Sequence, residues 1–367
     1  MSTGQVLIIG AGLIGTSVGL ALRARGVDVV LSDISPTVVA LARDMGAGQP
    51  TGEDSAAACV DLVVVATPPD VTAAVTRQAL LDHPSAVVTD VASVKAPVVT
   101  ALAASPGAAR FVGGHPMAGR ERSGPLAARG DLFEGRPWVL TPTGATAGSS
   151  LQRVRRLVTD LGAAVIEITP AEHDEAVAVT SHLPQLAASL VAGRLLDLGE
   201  PAAALSGQGL RDVTRLAGSD PMLWAQILTA NADPVRRALR AVRGDIDEVL
   251  AALDLLADSA GDHPGDDTGA RAVLARVIAD GNEGRVLLPG KHGTSPTAFA
   301  TVGVMVPDRP GEIARLLTEV DLAGVNLEDI RIEHSLGRPT GLVEILVHPS
   351  AHDALSVSLR DRAWVVV

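Results

Sequence analysis

Up to about residue 170, the chain alternates short apolar runs rich in β-branched residues with stretches of helical periodicity. This alternation is typical of an α/β domain built on a doubly wound parallel sheet, with helices on both faces. The predicted strands cover residues 5–9, 27–32, 61–66, 86–90, 110–114, 136–141 and 163–168. We therefore predict an N-terminal α/β domain over residues 1–169.

The pattern changes at Thr169, where strand-like runs stop and long helical patterns begin. Thr169, followed by Pro170 and then by Glu172, is typical of a capping box with proline at the first helical position. The pairs Asp220-Pro221 and Asp233-Pro234 repeat this start signal. Residues 170–288 are therefore predicted to form an all-helical second domain, whose Ala- and Leu-rich faces favour a homodimer interface.

A break at residues 288–293 separates the helices from a last segment in which residues 300–307 alternate like a strand. A turn through residues 308–312 leads into a helix, and two further strands are predicted at about 327–334 and 341–347. These elements predict a small αβ module over residues 299–367.

Composition limits the classes of function. Hydrophobic residues make up 47% of the chain and charged residues 20%, which favours a folded protein over a disordered one. The net charge of −12 argues against nucleic acid as a partner. The apolar stretch 6–22 has no basic residue before it and fits a strand and turn better than a signal anchor, so no membrane association is expected. The single cysteine, Cys59, fits a reducing cytoplasm, and no Cys/His cluster has metal-ligand spacing.

The turn after the first predicted strand has the pattern of a dinucleotide-binding site. Its residues are Gly10, Ala11, Gly12, Leu13, Ile14 and Gly15. In such a turn Gly10 makes the tight bend, Gly12 lets the backbone approach a pyrophosphate, and Gly15 lets the helix pack on the strand. Asp33 ends the second strand, where its carboxylate can bind both ribose hydroxyls and would repel a 2′-phosphate. This Rossmann-type pattern predicts NAD, not NADP, as the cofactor.

Other candidate residues follow neighbouring strands of the same sheet. Thr67 and Pro68 come after the third predicted strand, Ser93 after the fourth, and His115 after the fifth. Ligands of open α/β sheets bind outside the carboxyl ends of the strands, so these residues are expected to meet Gly12 at one edge.

His115 has the chemistry of a general base, since a neutral imidazole can take a proton from a hydroxyl as hydride leaves the same carbon. Ser93 can bond the other ring nitrogen and fix the tautomer, although a serine there is equally typical of a helix N-cap.

A second group of candidates lies in the helical segment. Pro184 interrupts a helical pattern, and the resulting bend can expose His182 and Gln185 to the cleft. Arg211 and Arg215 lie about one helical turn apart, which is usually a solvated arrangement. In an acidic protein, however, this pair is the best local candidate for binding a carboxylate substrate.

Taken together, these segments resemble the motifs of the prephenate dehydrogenase family over nearly the whole chain. The matching segments are Gly10–Gly15 with Ser17, Ser93-Val94-Lys95, Gly114-His115-Pro116-Met117, Ser181-His182-Leu183-Pro184, Arg211-Asp212 with Thr214-Arg215, and Pro289-Gly290-Lys291-His292-Gly293. The resemblance implies NAD-dependent oxidative decarboxylation of prephenate to 4-hydroxyphenylpyruvate, in tyrosine biosynthesis.

The resemblance also implies roles for single residues. His115 would accept the proton of the ring hydroxyl, and Ser93 would orient His115. Arg215 would bind a substrate carboxylate, with His182 and Gln185 lining the cleft. Gln185 departs from the family pattern, because some members carry histidine there.

Glu121 lies where the family places a gating or specificity acid. It could serve either prephenate or its amino-acid analogue arogenate, so arogenate dehydrogenase remains an alternative. A protein that senses NAD and amino acids without turnover is a second alternative, which intact Ser93, His115 and Arg215 disfavour. Other β-hydroxyacid-type dehydrogenases usually rely on a helical lysine as the catalytic acid or base. No suitably placed lysine lies between residues 170 and 280, so this alternative is disfavoured.

The last module, from Val302 onward, resembles an ACT domain, a ferredoxin-like fold that binds amino-acid effectors. Gly311 lies at a helix N-terminus that can receive the effector carboxylate, and Asn326 offers both a donor and an acceptor. Tyrosine, the pathway end product, is the effector that the resemblance implies. The alternative is that this module only stabilises a dimer.

Overall fold

The computed structural model describes residues 4–52, 60–119, 124–199, 204–259, 268–288, 299–334 and 339–367. The chain divides into two compact units, Met1–Val242 and Arg243–Val367, and each is described by itself. The predicted domain boundaries at 169 and 288 stay predictions.

The first unit contains an eight-stranded sheet. Its strands are β1 (Gln5–Ile9), β2 (Val29–Ser32), β3 (Gln49–Pro50), β4 (Val60–Val65), β5 (Val87–Asp90), β6 (Phe111–Pro116), β7 (Pro137–Thr141) and β8 (Ala164–Glu167), in the order β3-β2-β1-β4-β5-β6-β7-β8. Seven of these correspond to predicted strands. The two-residue edge strand β3 was not predicted, because so short a segment carries no periodicity.

Helices connect these strands. They are α1 (Leu13–Arg23), α2 (Pro36–Asp44), α3 (Pro69–Asp82), α4 (Ala96–Leu102) and α5 (Gly148–Asp160). Alternate residues of β1 enter separate cores, Ile8 on one side of the sheet and Leu7 on the other. This confirms the predicted doubly wound arrangement with a core on each face.

The prediction of a parallel sheet was wrong for one pair of strands, β6 and β7. Strand β7 runs antiparallel to β6, with His115 opposite Val139. In the described part of the connection, from residue 124 to 136, there is only a short 3-10 turn (Pro125–Ala127) and no crossover helix. A parallel neighbour would need such a crossover, whereas an antiparallel one does not.

The helical segment of this unit follows β8. It comprises α6 (Pro170–Val177), a π-helical turn (Ala178–His182), α7 (Leu183–Gly193), α8 (Gln208–Thr214), α9 (Pro221–Ala230) and the start of α10 (Ala232–Ser259). The predicted capping box is confirmed, since Glu172 N–H donates to Thr169 Oγ1 over 3.2 Å and Thr169 N–H to Glu172 Oε2 over 2.8 Å. Asp220 caps α9 as predicted, accepting from Met222 N–H over 2.8 Å.

The helix start predicted at Asp233-Pro234 was slightly misplaced. Helix α10 begins at Ala232, so Asp233 lies inside its first turn and not at the N-cap. Pro234 is tolerated there because the first-turn N–H groups have no partner within the helix.

Within the described residues, one helical stretch, Pro170–Asp197, is long and apolar enough to cross a membrane by length and composition. Core helices of soluble proteins meet the same criterion.

The second unit holds the rest of α10, helix α11 (Thr268–Val286) and a βαββαβ module. The module comprises β9 (Ala300–Pro307), α12 (Glu312–Leu322), β10 (Leu327–His334), β11 (Thr340–Val347), α13 (His352–Asp361) and β12 (Val365–Val366). Its antiparallel sheet has the order β10-β11-β9-β12. The three strands predicted here agree within one residue, while α13 and β12 had not been located.

Candidate active site

The glycine turn between β1 and α1 has the predicted geometry. Gly10 has φ +102°, and a Cβ on it would lie 2.3 Å from the carbonyl oxygen of Ala66. A Cβ on Gly15 would lie 1.9 Å from the carbonyl oxygen of Gly10, whereas one on Gly12 would meet no atom within 4 Å. Gly12 therefore faces open space at the N-terminus of α1, where backbone N–H groups favour a phosphate. The turn fits a dinucleotide.

Asp33 is positioned beside this turn. Its Oδ2 accepts from Ala11 N–H over 2.8 Å, and its Oδ1 accepts from Ser35 N–H over 2.9 Å. Each carboxylate oxygen keeps lone pairs for a ribose hydroxyl. The negative charge beside the turn is the feature expected of an NAD site.

The other proposed cofactor residues lie around the same edge. Leu13 and Ile14 form the first residues of α1 and are partly buried against the core. Thr67 follows β4, its Oγ1 lies 3.2 Å from Thr72 Oγ1, and Pro68 is the N-cap residue of α3. Their contacts with the cofactor stay predictions.

His115, on β6, is held by a chain of hydrogen bonds to residues of helix α6. Its Nδ1 lies 2.8 Å from Nε2 of His173, and Nδ1 of His173 lies 2.7 Å from Oδ1 of Asp174. His173 is fully buried and Asp174 is 3% exposed. The Asp174 carboxylate also accepts from the backbone N–H groups of Lys95 and Ala96, each over 2.8 Å. Helix α6 is thereby tied to the N-terminus of α4.

The assignment of Ser93 as the orienter of His115 was wrong. His173 occupies Nδ1 of the imidazole, and within the described ranges Ser93 and His115 share no hydrogen bond. The N-cap interpretation of Ser93 was also wrong, since the N-cap residue of α4 is Lys95. Ser93 remains at the predicted sheet edge, half-buried.

A buried ion pair fixes the end of β6 just before His115. Lys95 Nζ donates to Oδ2 of Asp90 and, over 2.6 Å, to the carbonyl oxygen of Gly114. Oδ1 of Asp90 accepts from Gly114 N–H over 3.1 Å. Burial lowers the pKa of Lys95, and the neighbouring carboxylates oppose that effect.

The electrostatics of His115 suit a base. Burial lowers its pKa well below the usual value of 6.5, and His173, Lys95 and His182 lower it further. The imidazole is therefore neutral near pH 7 and able to accept a proton.

His182 lies in the π-helical turn, just ahead of Pro184. Such π-helical turns are frequent at functional sites. Asn231 Nδ2 lies 3.1 Å from its Nδ1 and donates to the carbonyl oxygen of Asp174 over 2.8 Å. The His182 ring packs edge-on against Trp224, with centroids 5.9 Å apart. Burial lowers the pKa of His182 to about 4.

The expectation that the proline exposes His182 and Gln185 to the cleft was wrong for His182, whereas Gln185, although largely covered, lines a cavity. His182 is 1% exposed and Gln185 7%, because α9 and the turn after α8 cover them. Gln185 accepts from Ser219 Oγ over 3.1 Å and donates to Ser189 Oγ over 3.3 Å.

A cavity of about 1070 Å³ lies beside these residues. Its lining includes Gly119, Arg129, Arg136, Gln185, Arg215 and Trp224. Arg215 thus lies where a carboxylate substrate can reach it. Arg211 was predicted to act with it, but Arg211 is exposed and is not among the lining residues.

Two family models match the chain. "Prephenate dehydrogenase, nucleotide-binding domain" matches residues 18–167, and "Prephenate dehydrogenase, dimerization domain" matches residues 169–261. The chain is 40% identical to the probable prephenate dehydrogenase NovF of Streptomyces niveus, with 98% of each chain covered. It is 30% identical to prephenate dehydrogenase of Bacillus subtilis, covering 93% of this chain and 91% of the relative. The chain belongs to the prephenate dehydrogenase family.

A solved structure supports the same conclusion. The prephenate dehydrogenase of Aquifex aeolicus, in complex with hydroxyphenyl propionate and NAD+, is 29% identical with a TM-score of 0.67. The match covers 77% of this chain and 99% of that one. The predicted family, oxidoreductase class and NAD cofactor are confirmed by these comparisons.

Some residues discussed from the sequence lie outside the described residues. They are Cys59, Glu121 and the segment Pro289–Gly293. Over the described ranges, no group of three His, Cys, Asp or Glu could hold a metal ion.

His173, Asp174 and Asn231 are the residues that sequence reasoning missed. The signal for them was weak: a histidine and an aspartate adjacent in a short helix, and an asparagine between two helices. Such residues are common on protein surfaces, and nothing in the sequence indicates that the fold buries them.

Proposed function

We propose that the protein catalyses the NAD-dependent oxidative decarboxylation of prephenate to 4-hydroxyphenylpyruvate. The observation that supports this most is the placement of His115, a half-buried neutral imidazole at the sheet edge that carries the dinucleotide turn. Its Nδ1 is bound to His173, so Nε2 remains for the substrate.

His115 Nε2 takes the proton of the ring hydroxyl at C4. The dinucleotide turn and Asp33 would hold NAD, which would supply the acceptor for the hydride on that carbon. The bond to the ring carboxylate breaks, its electron pair enters the ring, and carbon dioxide leaves as the ring becomes aromatic. The C4 oxygen, now phenolic, takes the proton back from His115, which gives 4-hydroxyphenylpyruvate and restores the base. The protein's residues orient the substrate and hold the proton.

Arg215 is proposed to bind a carboxylate of the substrate, and His182 and Gln185 to contact the substrate from the helical side. Two observations support this arrangement. Arg215 and Gln185 line the cavity. Trp224, which also lines it, packs against the ring of His182. Glu121 keeps its proposed role as a specificity acid.

Arogenate is the second candidate substrate. It carries an ammonium group, and Glu134 among the cavity-lining residues offers a carboxylate for it. NADH formation with prephenate and arogenate, measured side by side, tests both. Activity on prephenate supports the first proposal, preference for arogenate supports the second, and no turnover with either leaves a non-catalytic NAD-binding role.

We propose further that the protein acts in tyrosine biosynthesis in the cytoplasm as a homodimer. The single cysteine and the dimerization-domain match support this proposal. So do exposed apolar side chains in the matched region, including Val179, Leu190 and Leu196.

The C-terminal module is proposed to be an ACT domain with a ferredoxin-like fold that binds tyrosine. Its βαββαβ order supports this, as does Gly311 at the N-cap of α12 with φ +90°. Asn326 Nδ2 donates to Glu328 Oε1 over 3.0 Å, which leaves its carbonyl oxygen for an effector. Tyrosine titration of the enzyme and of Asn326→Ala tests the site, and an unmodified enzyme that does not respond would leave only a structural role.

A further inference from the structure

We propose that Asp174 fixes opposite tautomers on two active-site histidines, through His173 to His115 and through Asn231 to His182. The two arms leave from different atoms of one residue: the carboxylate bonds His173, and the backbone carbonyl bonds Asn231. The inference rests on the proposed function for its meaning in catalysis, although the tautomers themselves can be measured without substrate.

The first arm follows from what each atom can donate. The carboxylate of Asp174 accepts from the backbone N–H groups of Lys95 and Ala96, which can only donate. The remaining contact, with Nδ1 of His173, is therefore an N–H donated by the ring. A His173 ring whose one N–H is on Nδ1 presents a lone pair at Nε2, so the 2.8 Å contact is made by an N–H on Nδ1 of His115.

With its proton on Nδ1, neutral His115 carries a lone pair at Nε2. This is the atom that must accept the substrate proton. In the other tautomer Nε2 would carry a hydrogen and could not act as the base.

The second arm is fixed by a carbonyl group. The carbonyl oxygen of Asp174 can only accept, so the asparagine atom 2.8 Å away is the amide nitrogen. The same nitrogen lies 3.1 Å from Nδ1 of His182 and donates its second hydrogen there. Neutral His182 therefore carries its proton on Nε2.

The two rings thus have different tasks. His115 accepts a proton at Nε2, while His182 donates from Nε2 to an acceptor such as a carboxylate or carbonyl oxygen. Both rings stay neutral near pH 7 because burial lowers their pKa values, so each ring has a single tautomer to be fixed. His173 and Asn231 are positioning residues in this scheme, since they act through the two histidines.

The test is the ¹⁵N spectrum of histidine side chains in the substrate-free enzyme labelled with ¹⁵N-histidine. Long-range ¹⁵N–¹H correlations distinguish a protonated ring nitrogen from an unprotonated one. We expect protonated Nδ1 and bare Nε2 in His115, and the reverse in His182. The same tautomer on both rings would overturn the proposal.

Substitutions then separate the two arms. His173→Leu removes the acceptor for His115, so the Nδ1 proton of His115 should no longer be fixed. The matched variant His173→Gln offers a carbonyl oxygen in its place and should restore the tautomer. Asn231→Asp is nearly isosteric but presents acceptors to His182, so Nδ1 of His182 should become protonated while His115 stays unchanged. Spectra unchanged in His173→Leu and in Asn231→Asp would contradict the scheme.

Kinetics give a second readout. For His173→Leu we expect kcat to fall by about 10²–10⁴-fold, the usual worth of a positioned base, with KM little changed. Recovery of kcat in His173→Gln relative to His173→Leu is expected, and equal losses in both would overturn the tautomer role. NAD binding and thermal melting confirm that each variant is folded. If neither substrate is turned over but the spectra are as expected, the proposed function fails and this inference stands.

Discussion

Nδ1 of His115 lies 2.8 Å from Nε2 of His173, a residue 58 positions later in the chain. The imidazole on β6 is thus oriented by a helix of the segment that follows the sheet. Catalytic triads use the same principle: a third residue orients the base and sets its tautomer.

The first prediction concerns the pH profile. His115 is active as a base when neutral, and its pKa lies well below 6.5, chiefly because it is buried. Activity should therefore be present above that pKa and be lost only as pH falls through it. We expect kcat/KM to stay level through pH 6.5 on the acidic side, and a loss centred at 6.5 or above would contradict the assignment.

The second prediction concerns the cofactor. Asp33→Ser removes the charge that repels a 2′-phosphate, and Ile34→Arg at the neighbouring, fully exposed position adds a cation. The preference for NAD over NADP should fall by about 10–100-fold in the double variant, equivalent to about 1.4–2.8 kcal/mol. Ratios of kcat/KM for the two cofactors measure this, with Ile34→Arg alone as the control. Equal use of NAD and NADP by the unmodified enzyme would refute the role of Asp33.

The third prediction concerns Arg215. Its replacement by alanine removes a charged hydrogen-bond donor from the cavity, which should cost about 1.5–3 kcal/mol of substrate binding. KM for the substrate should rise more than kcat falls, because the carboxylate is held equally in ground and transition states.

Arg211→Ala is the matched control for Arg215. It removes the same charge about one helical turn away, from a residue that is not among the cavity lining. Similar changes in KM for both variants would indicate a general electrostatic effect and not a binding contact.

The fourth prediction concerns stability. Lys95→Met leaves the Asp90 carboxylate buried without its cation, which should lower the free energy of unfolding by about 3–5 kcal/mol. Adding Asp90→Asn removes the uncompensated charge and should recover part of the loss. Chemical denaturation of the three proteins measures this. If Lys95→Met were as stable as the unmodified protein, the ion pair of Lys95 and Asp90 would not stabilise the end of β6.

The sequence predicted the sheet, the dinucleotide turn and most helix starts because these depend on local signals. Gly10 and Gly15 have geometric roles within a single turn, and Thr169 caps a helix through a residue three positions away. The position of His115 at the sheet edge followed from topology alone.

The partner of His115 could not be predicted in the same way. His173 reaches it only when α6 packs against the sheet, and no local pattern indicates that contact. Ser93 was the plausible choice because it ends a neighbouring strand, yet strand-end proximity does not determine which side chain reaches the ring. The antiparallel β7 was missed for a similar reason, since apolar periodicity carries no information on strand direction.

The central claim is that His115 is the base of an NAD-dependent decarboxylating dehydrogenase. Its most direct test follows NADH, carbon dioxide and 4-hydroxyphenylpyruvate formed from prephenate by the unmodified enzyme and by His115→Asn. We predict one of each product per turnover, and a kcat lower by about 10²–10⁴-fold in the variant with little change in KM. Product formation by His115→Asn at the unmodified rate, or NADH formed without carbon dioxide, would contradict the account.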